Sequence, residues 1–154
     1  MSSTLDAALR LVRAQTALVR RFDASLSGLH GVSLADFTLL LRLGQAPGGR
    51  MRRVDLAEAL GLTPSGVTRG LAPLERIGLV TREPDPRDAR VAYAALTDTG
   101  RTLLRDMRAT AERVADEVFA APSWSPDDIA LLAGLTTRIG GTGLTDRPAS
   151  APDR

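Results

Sequence analysis

The side chains of this sequence that could bind a charged ligand are its arginines. All 20 of its Lys and Arg residues are arginine. A guanidinium group offers a planar fork of N–H donors that fits phosphates and the edges of nucleic-acid bases. Residues 50–90 hold eight arginines against six acids, while the rest of the chain is charge-balanced. The net charge of +2 therefore lies in that one stretch. The pI of about 10.3 is a weaker signal, because arginine stays charged far above neutral pH.

Other kinds of chemistry find little support in the composition. The chain has no cysteine, which excludes disulfides, thiolate metal sites and a cysteine redox switch. Its single histidine, His30, cannot by itself make a histidine metal site or a catalytic triad. We find no nucleophile–base pair and no metal-ligand cluster, so the sequence predicts neither an enzyme nor a cofactor.

The length of 154 residues corresponds to one ordinary domain, and 44% apolar with 25% charged residues is typical of a globular chain. No apolar run approaches the roughly 18 residues needed to cross a bilayer. The N-terminal residues lack the basic and apolar regions of a secretory signal. We expect a cytoplasmic protein without a membrane partner.

Hydrophobic periodicity predicts six helices, and turn chemistry marks their ends. Two short β-like runs, 79–82 and 91–96, flank a charged Pro/Asp loop and predict a projecting hairpin. The expected fold class is mainly α with a small β-hairpin. Composition from Gly140 onward predicts a disordered tail over 140–154. The predicted helices cover about 4–27, 34–45, 53–60, 63–77, 98–121 and 126–139.

The third and fourth helices are separated by a turn of only about three residues. Ala57, Gly61 and Val67 have the spacing of a helix–turn–helix, with a small residue at the crossing and glycine in the turn. Thr68 and Arg69 fall on the face away from Val67, where a helix could enter the major groove. The alternative, chance spacing on two packed helices, is open at this point.

The hairpin that follows has the position of a wing. Its tip places Arg87 between Asp85 and Asp88, and an arginine there is suited to a narrow, negative minor groove. For Arg90, a phosphate contact and an internal Arg–Asp pair are equally open. Pro73, ten residues into the fourth helix, is expected to kink it beyond the part that would meet bases.

Taken together, these motifs resemble the DNA-binding core of the MarR family of bacterial transcription regulators. The matching elements are LAEALGL, the VTR–LE–GLV–R run, the D-P-R-D-x-R wing and the L-T-x-x-G start of the next helix, all within Leu56–Leu104. The resemblance implies a winged helix-turn-helix homodimer that binds double-stranded DNA at a pseudo-palindromic operator. It also implies repression, often relieved by a small anionic or aromatic effector.

The resemblance also assigns residues and regions. It implies helical dimerisation regions at 1–30 and 98–139, and a winged helix-turn-helix domain at 33–97. His30, Phe37 and Arg42 are candidate effector contacts, although His30 also suits a hydrogen bond at a helix end and Phe37 suits the core. The implied DNA contacts are Ser65, Thr68, Arg69, Asp85, Arg87 and Arg90.

Two wider alternatives are open on sequence. The first, fifth and sixth helices have apolar seams, which a symmetric partner or an intramolecular three-helix bundle could cover. On the first view, Leu104 and Val114 are seam residues whose replacement by Asp should impair dimerisation. The winged helix could also be a protein-interaction module that does not bind DNA.

Overall fold

A computed structural model describes residues 2–85, 88, 91–120 and 123–140. The mainly helical fold class with a small β-hairpin is confirmed, and the sheet gains a third strand that the sequence did not predict. A short 3₁₀ turn, Pro47–Gly49, leads into that strand. The elements in chain order are α1 (Ser3–His30), α2 (Leu34–Gln45), β1 (Arg50–Arg52), α3 (Arg53–Leu60), α4 (Pro64–Arg76), β2 (Val80–Pro84), β3 (Ala92–Leu96), α5 (Asp98–Phe119) and α6 (Pro126–Gly140).

Side-chain caps explain where the helices begin. The hydroxyls of Ser33, Thr63 and Thr97 each accept a hydrogen bond from a backbone N–H of the first turn, at 3.0–3.1 Å. The predicted boundaries of α2 and α3 are confirmed. The first helix is longer than predicted, since it continues past Gly28 to His30. Gly31, with φ of 71°, then caps its C-terminal end.

The sheet is antiparallel with strand order β1-β3-β2. Arg52 of β1 lies opposite Tyr93 of β3, and Tyr93 lies opposite Glu83 of β2. β1 precedes the helix–turn–helix in sequence, yet it pairs with the far strand of the wing. The sheet therefore fixes the root of the wing against the start of α3.

The core lies where α2, α4, the sheet and the facing parts of α1 and α5 meet. Phe37 is 7% exposed and belongs to it, as the core alternative predicted. α4 runs unbroken from Pro64 to Arg76 through the exposed Pro73. The largest fully buried side chains are Leu26, Leu40, Leu43, Leu56, Val67, Leu71, Leu74 and Met107.

The L-T-x-x-G motif has a direct structural cause. The Thr97 hydroxyl donates to the Gly78 carbonyl at 2.6 Å, and the Thr97 N–H donates to the Leu79 carbonyl at 3.1 Å. A Cβ atom at Gly100 would collide with the same Leu79 carbonyl oxygen. Glycine is required there because the first turn of α5 packs directly on the backbone that enters β2.

The helices outside the winged core leave apolar side chains exposed. On the first half of α1 these are Leu5, Leu9 and Val12, and on α6 they are Ile129, Leu131, Leu135 and Ile139, with exposed fractions of 38–73%. α1 packs along α5, but α6 has no buried residue, so the three-helix bundle is not formed within one chain.

The seam assigned to α5 on sequence needs correction. Val114 is only 3% exposed, and Leu104 is partly buried against the core beside Gly44. Both side chains pack within the single chain. Asp at either position would therefore test folding of the subunit instead of its dimerisation.

Two further predictions concern the ends and the membrane. No single described helix is long and apolar enough to cross a bilayer, and α1 with α2 meets that test only as a pair bent by 79°. Residues 141–154, nearly all of the predicted disordered tail, lie outside the described residues.

Candidate nucleic-acid interface

The N-terminal half of α4 presents a polar, exposed face. Val67 is fully buried and anchors the helix, while Ser65, Thr68 and Arg69 are exposed. The Thr63 hydroxyl caps the helix by accepting from the Gly66 N–H at 3.1 Å. The side chains that the sequence assigned to DNA contact on this helix thus share one accessible surface.

These side chains differ in how free they are to take a new partner. The Thr68 hydroxyl donates to the Pro64 carbonyl at 3.0 Å, and the Ser65 hydroxyl lies 3.1 Å from that of Thr63. Hydroxyls in such local bonds still have acceptor capacity, and they can rotate toward another group. Arg69 makes no hydrogen bond or ion pair within the described part of the chain.

An ion pair holds the helix–turn–helix together from behind. Arg53, at the start of α3, donates through Nη2 to Glu75 Oε1 near the end of α4, at 2.5 Å. Both side chains are less than a third exposed, at 23% and 29%. The LE pair of the sequence motif is thereby explained, because Leu74 enters the core while Glu75 binds the neighbouring helix.

The wing root is organised by Asp85. Its carboxylate accepts from the Tyr93 hydroxyl at 3.2 Å and from the Asp88 N–H at 3.3 Å. The Asp85 N–H donates to the Val91 carbonyl at 3.0 Å, which closes the hairpin. Arg87 and Arg90, the other wing residues assigned on sequence, lie outside the described residues.

The outer face of the sheet carries a cluster that sequence reasoning missed. The guanidinium carbons of Arg50 and Arg52 lie 5.0 and 5.9 Å from the centre of the Tyr93 ring. The pKa of Arg52 is raised, chiefly by its hydrogen bond to the Tyr93 hydroxyl. The alternation of Arg50, Met51 and Arg52 was the available signal, since it has the period of a strand.

The three candidate effector contacts do not form one site. Phe37 is in the core, and His30 Nε2 lies 2.9 Å from the Thr110 hydroxyl on α5. His30 was expected to form a hydrogen bond with a nearby residue, but its partner lies 80 positions away in the sequence. Arg42, which is 8% exposed, lines an open groove of about 990 Å³ between α2, α3 and α4.

Comparison with known proteins agrees with this geometry. The model of the MarR family matches residues 30–91. An uncharacterized HTH-type transcriptional regulator of Bacillus subtilis, YdgJ, is 32% identical over 109 residues, which cover 71% of this chain and 64% of that protein. The matched part thus spans about two thirds of the length of this relative.

Solved structures extend the likeness over nearly the whole chain. Sco3205, a MarR family transcriptional regulator from Streptomyces coelicolor solved in complex with DNA, is 28% identical with a TM-score of 0.81. The likeness covers 98% of this chain and 94% of that one. The chain belongs to the MarR family. MarR family membership accounts for the winged helix-turn-helix, the wing motif and the long flanking helices together.

Two more MarR structures bear on the fold. AbsC from Streptomyces coelicolor is 25% identical, with a TM-score of 0.79, and the likeness covers 90% of this chain and 93% of the AbsC chain. A mutant of MarR from E. coli complexed with operator DNA is 23% identical, with a TM-score of 0.75 over 89% of this chain and 94% of that one. The second likeness is to the fold alone.

Proposed function

We propose that this MarR family chain is a transcription regulator that binds double-stranded DNA and acts from the cytoplasm. The observation that carries the proposal is the exposed polar face of α4, Ser65, Thr68 and Arg69, beside a wing whose root is braced by Asp85. A recognition helix enters the major groove by its N-terminal part, and a wing reaches the adjacent minor groove. That Sco3205 was solved with DNA supports the same use of this fold.

Within this proposal each contact has its own role. Arg69 binds a guanine edge or a phosphate, and the hydroxyls of Ser65 and Thr68 add hydrogen bonds to bases or phosphates. Arg87 enters the minor groove, and Asp85 supports it through the hairpin. Arg90 contacts a phosphate.

The proposed active form is a homodimer on a pseudo-palindromic operator. Residues 33–97 form its DNA-binding domain, and 1–30 with 98–139 form its dimerisation region. The exposed apolar side chains of α1 and α6 support this assignment, because a symmetric partner can cover both stripes at once. Operator binding by such a dimer represses transcription by occupying the promoter.

An effector site is a further part of the proposal. The groove beside Arg42 has apolar walls, including Leu39 and Leu60, which suit a small aromatic molecule. Arg42 can pair with an anionic group on that molecule, although the carboxylates of Asp36, Asp55 and Glu58 line the same groove. Because α4 lines the same groove, a bound molecule would contact the recognition helix directly. Calorimetric titration with benzoate-like acids, comparing the wild type with Arg42→Ala, tests this part.

The decisive experiment is footprinting on the DNA upstream of the protein's own gene, followed by titration of the protected site. Arg69→Ala should weaken operator binding by about 1–3 kcal/mol, because it removes a base-edge or phosphate contact. Arg108→Ala is the matched control, since Arg108 is an exposed arginine on α5 that pairs with Glu112. Equal affinities for both variants would contradict the role of α4.

A second variant tests the wing. Arg87→Ala should lower operator affinity by about 1–3 kcal/mol while the oligomeric state stays unchanged. Unchanged affinity in a gel-shift titration would remove the minor-groove contact from the proposal. Absence of any salt-dependent DNA binding by the wild type would instead favour a protein-interaction module.

A further inference from the structure

One exposed arginine next to the wing, Arg52, forms no ion pair with a carboxylate among the described residues. Arg52 lies on the edge strand β1, and its one hydrogen bond in the described part of the chain runs from Nε to the hydroxyl of Tyr93, at 3.4 Å. That partner is neutral, so both Nη groups of Arg52 remain available to a ligand.

The neighbouring arginine on the same face provides an internal comparison. Arg50 also lies over the Tyr93 ring, but it forms an ion pair with Glu83 at 3.2 Å. Its guanidinium group is therefore already engaged by a carboxylate. Of the two arginines that contact this tyrosine, Arg52 is the one that lacks a carboxylate partner among the described residues.

The sheet register ties Arg52 to the wing. Arg52 pairs with Tyr93, which is one residue from the wing end of β3, and the Tyr93 hydroxyl donates to Asp85 at the wing root. A rigid antiparallel ladder and a shared tyrosine thus hold the arginine and the wing in a fixed relation. When the wing docks on DNA, Arg52 docks with it.

We propose that Arg52 binds a backbone phosphate of the DNA beside the groove that the wing enters. The inference rests on the proposed function and adds a third DNA contact, separate from α4 and from the wing tip. The guanidinium offers paired N–H donors in the geometry of a phosphate, and Tyr93 restricts its orientation before binding. The contact strengthens binding without selecting a base sequence.

The test uses the full chain and a labelled random-sequence duplex, with affinity measured across about 50 to 200 mM salt. Each phosphate contact contributes about 0.9 to the slope of log K against log salt. Arg52→Gln should reduce the slope by about this amount for each copy of Arg52 that touches DNA. Arg52→Lys should keep most of it, because the charge remains.

The matched control is Arg105→Gln, which removes one exposed arginine charge from α5, where its partner is the Thr102 hydroxyl. It should leave the slope near the wild-type value. Thermal melts of all variants check that the sheet stays folded. A slope for Arg52→Gln that equals that of Arg105→Gln overturns the proposal, whatever happens to stability.

The use of random DNA separates this proposal from the larger one. If the wild type binds random duplex but protects no operator, sequence-specific regulation fails while the Arg52 slope still decides the phosphate contact. If the wild type shows no salt-dependent binding to any duplex, the proposed function and the Arg52 contact both fail.

Discussion

The winged core and the outlying helical faces are built from similar amphipathic helices. They differ in burial, because the apolar side chains of the core are covered and those of the outlying faces are exposed. In the core, α2 and α4 bury Leu40, Leu43 and Leu71 completely. On α6, Leu131 and Leu135 are 61% and 44% exposed, although the periodicity of this helix is equally clear. The same sequence pattern therefore gives a closed core in one region and an open apolar face in the other.

The difference shows what periodicity can and cannot establish. An apolar stripe predicts that a helix will pack, but it does not name the surface on which it packs. For α2 and α4 that surface is in the same chain. For α6 and the first half of α1 the described residues provide no such surface, and this is the observation behind the proposed second copy.

The largest expected effect would break the core itself. Leu40→Ala should lower the free energy of unfolding by about 2–5 kcal/mol, because it leaves a cavity at a fully buried position. Chemical denaturation monitored by circular dichroism measures this. Leu131→Ala is the control on the open face, and a comparable loss of stability for it at low protein concentration would remove the distinction between the regions.

The next effect concerns the open face. Leu135→Asp should raise the dissociation constant of the proposed dimer at least about tenfold, which is about 1.4 kcal/mol. The reason is that two-fold symmetry would bury one new charge from each subunit in the same interface. Sedimentation at several concentrations measures it. Leu62→Asp is the matched control, since Leu62 is 47% exposed but lies in the turn of the helix–turn–helix. A dimer equally stable in both variants would place the interface elsewhere.

The smallest expected effect on stability comes from removing a helix cap. Two capping boxes with nearly the same geometry allow the comparison. Ser33 with Asp36 caps α2, and Ser125 with Asp128 caps α6, with hydroxyl-to-carboxylate distances of 2.7 Å in both. Ser33→Ala should cost about 0.5–2 kcal/mol of global stability. Ser125→Ala should instead raise amide exchange within α6 alone. Equal global effects would show that α6 folds as part of the core.

The cap of α6 also carries a pH dependence. The pKa of Asp128 is lowered, first by the hydrogen bond from the Ser125 hydroxyl and then by that from the Ser125 backbone N–H. Its contribution is therefore complete above the unfolded pKa and is lost as the pH falls through the lower, folded one. The protection factors of the α6 amides, which are corrected for the intrinsic pH dependence of exchange, should fall on the acid side of about pH 4 in the wild type, and less so in Ser125→Ala.

Much of the fold followed from local rules in the sequence. Ser33, Thr63 and Thr97 marked three helix starts, and Gly61, with φ of 62°, marked the turn of the helix–turn–helix. These features depend on a few neighbouring residues, which is why they can be predicted without a tertiary structure. The outward face of Thr68 and Arg69 followed in the same way from helical spacing, while Ser65 was assigned by the family resemblance.

The remaining features depend on residues far apart in sequence. β1 is three residues long and gains its pairing only from β3, so the brief alternation of Arg50, Met51 and Arg52 was too short a local pattern to predict it. His30 meets Thr110 across 80 positions, and Arg52 meets Tyr93 across 41. The sequence by itself determined the helices, the winged helix-turn-helix and the family resemblance, because capping and periodicity are local. Only the tertiary structure decided which apolar stripes close within the chain and which of the described arginines beside the wing lacks a carboxylate partner, because those outcomes depend on long-range packing.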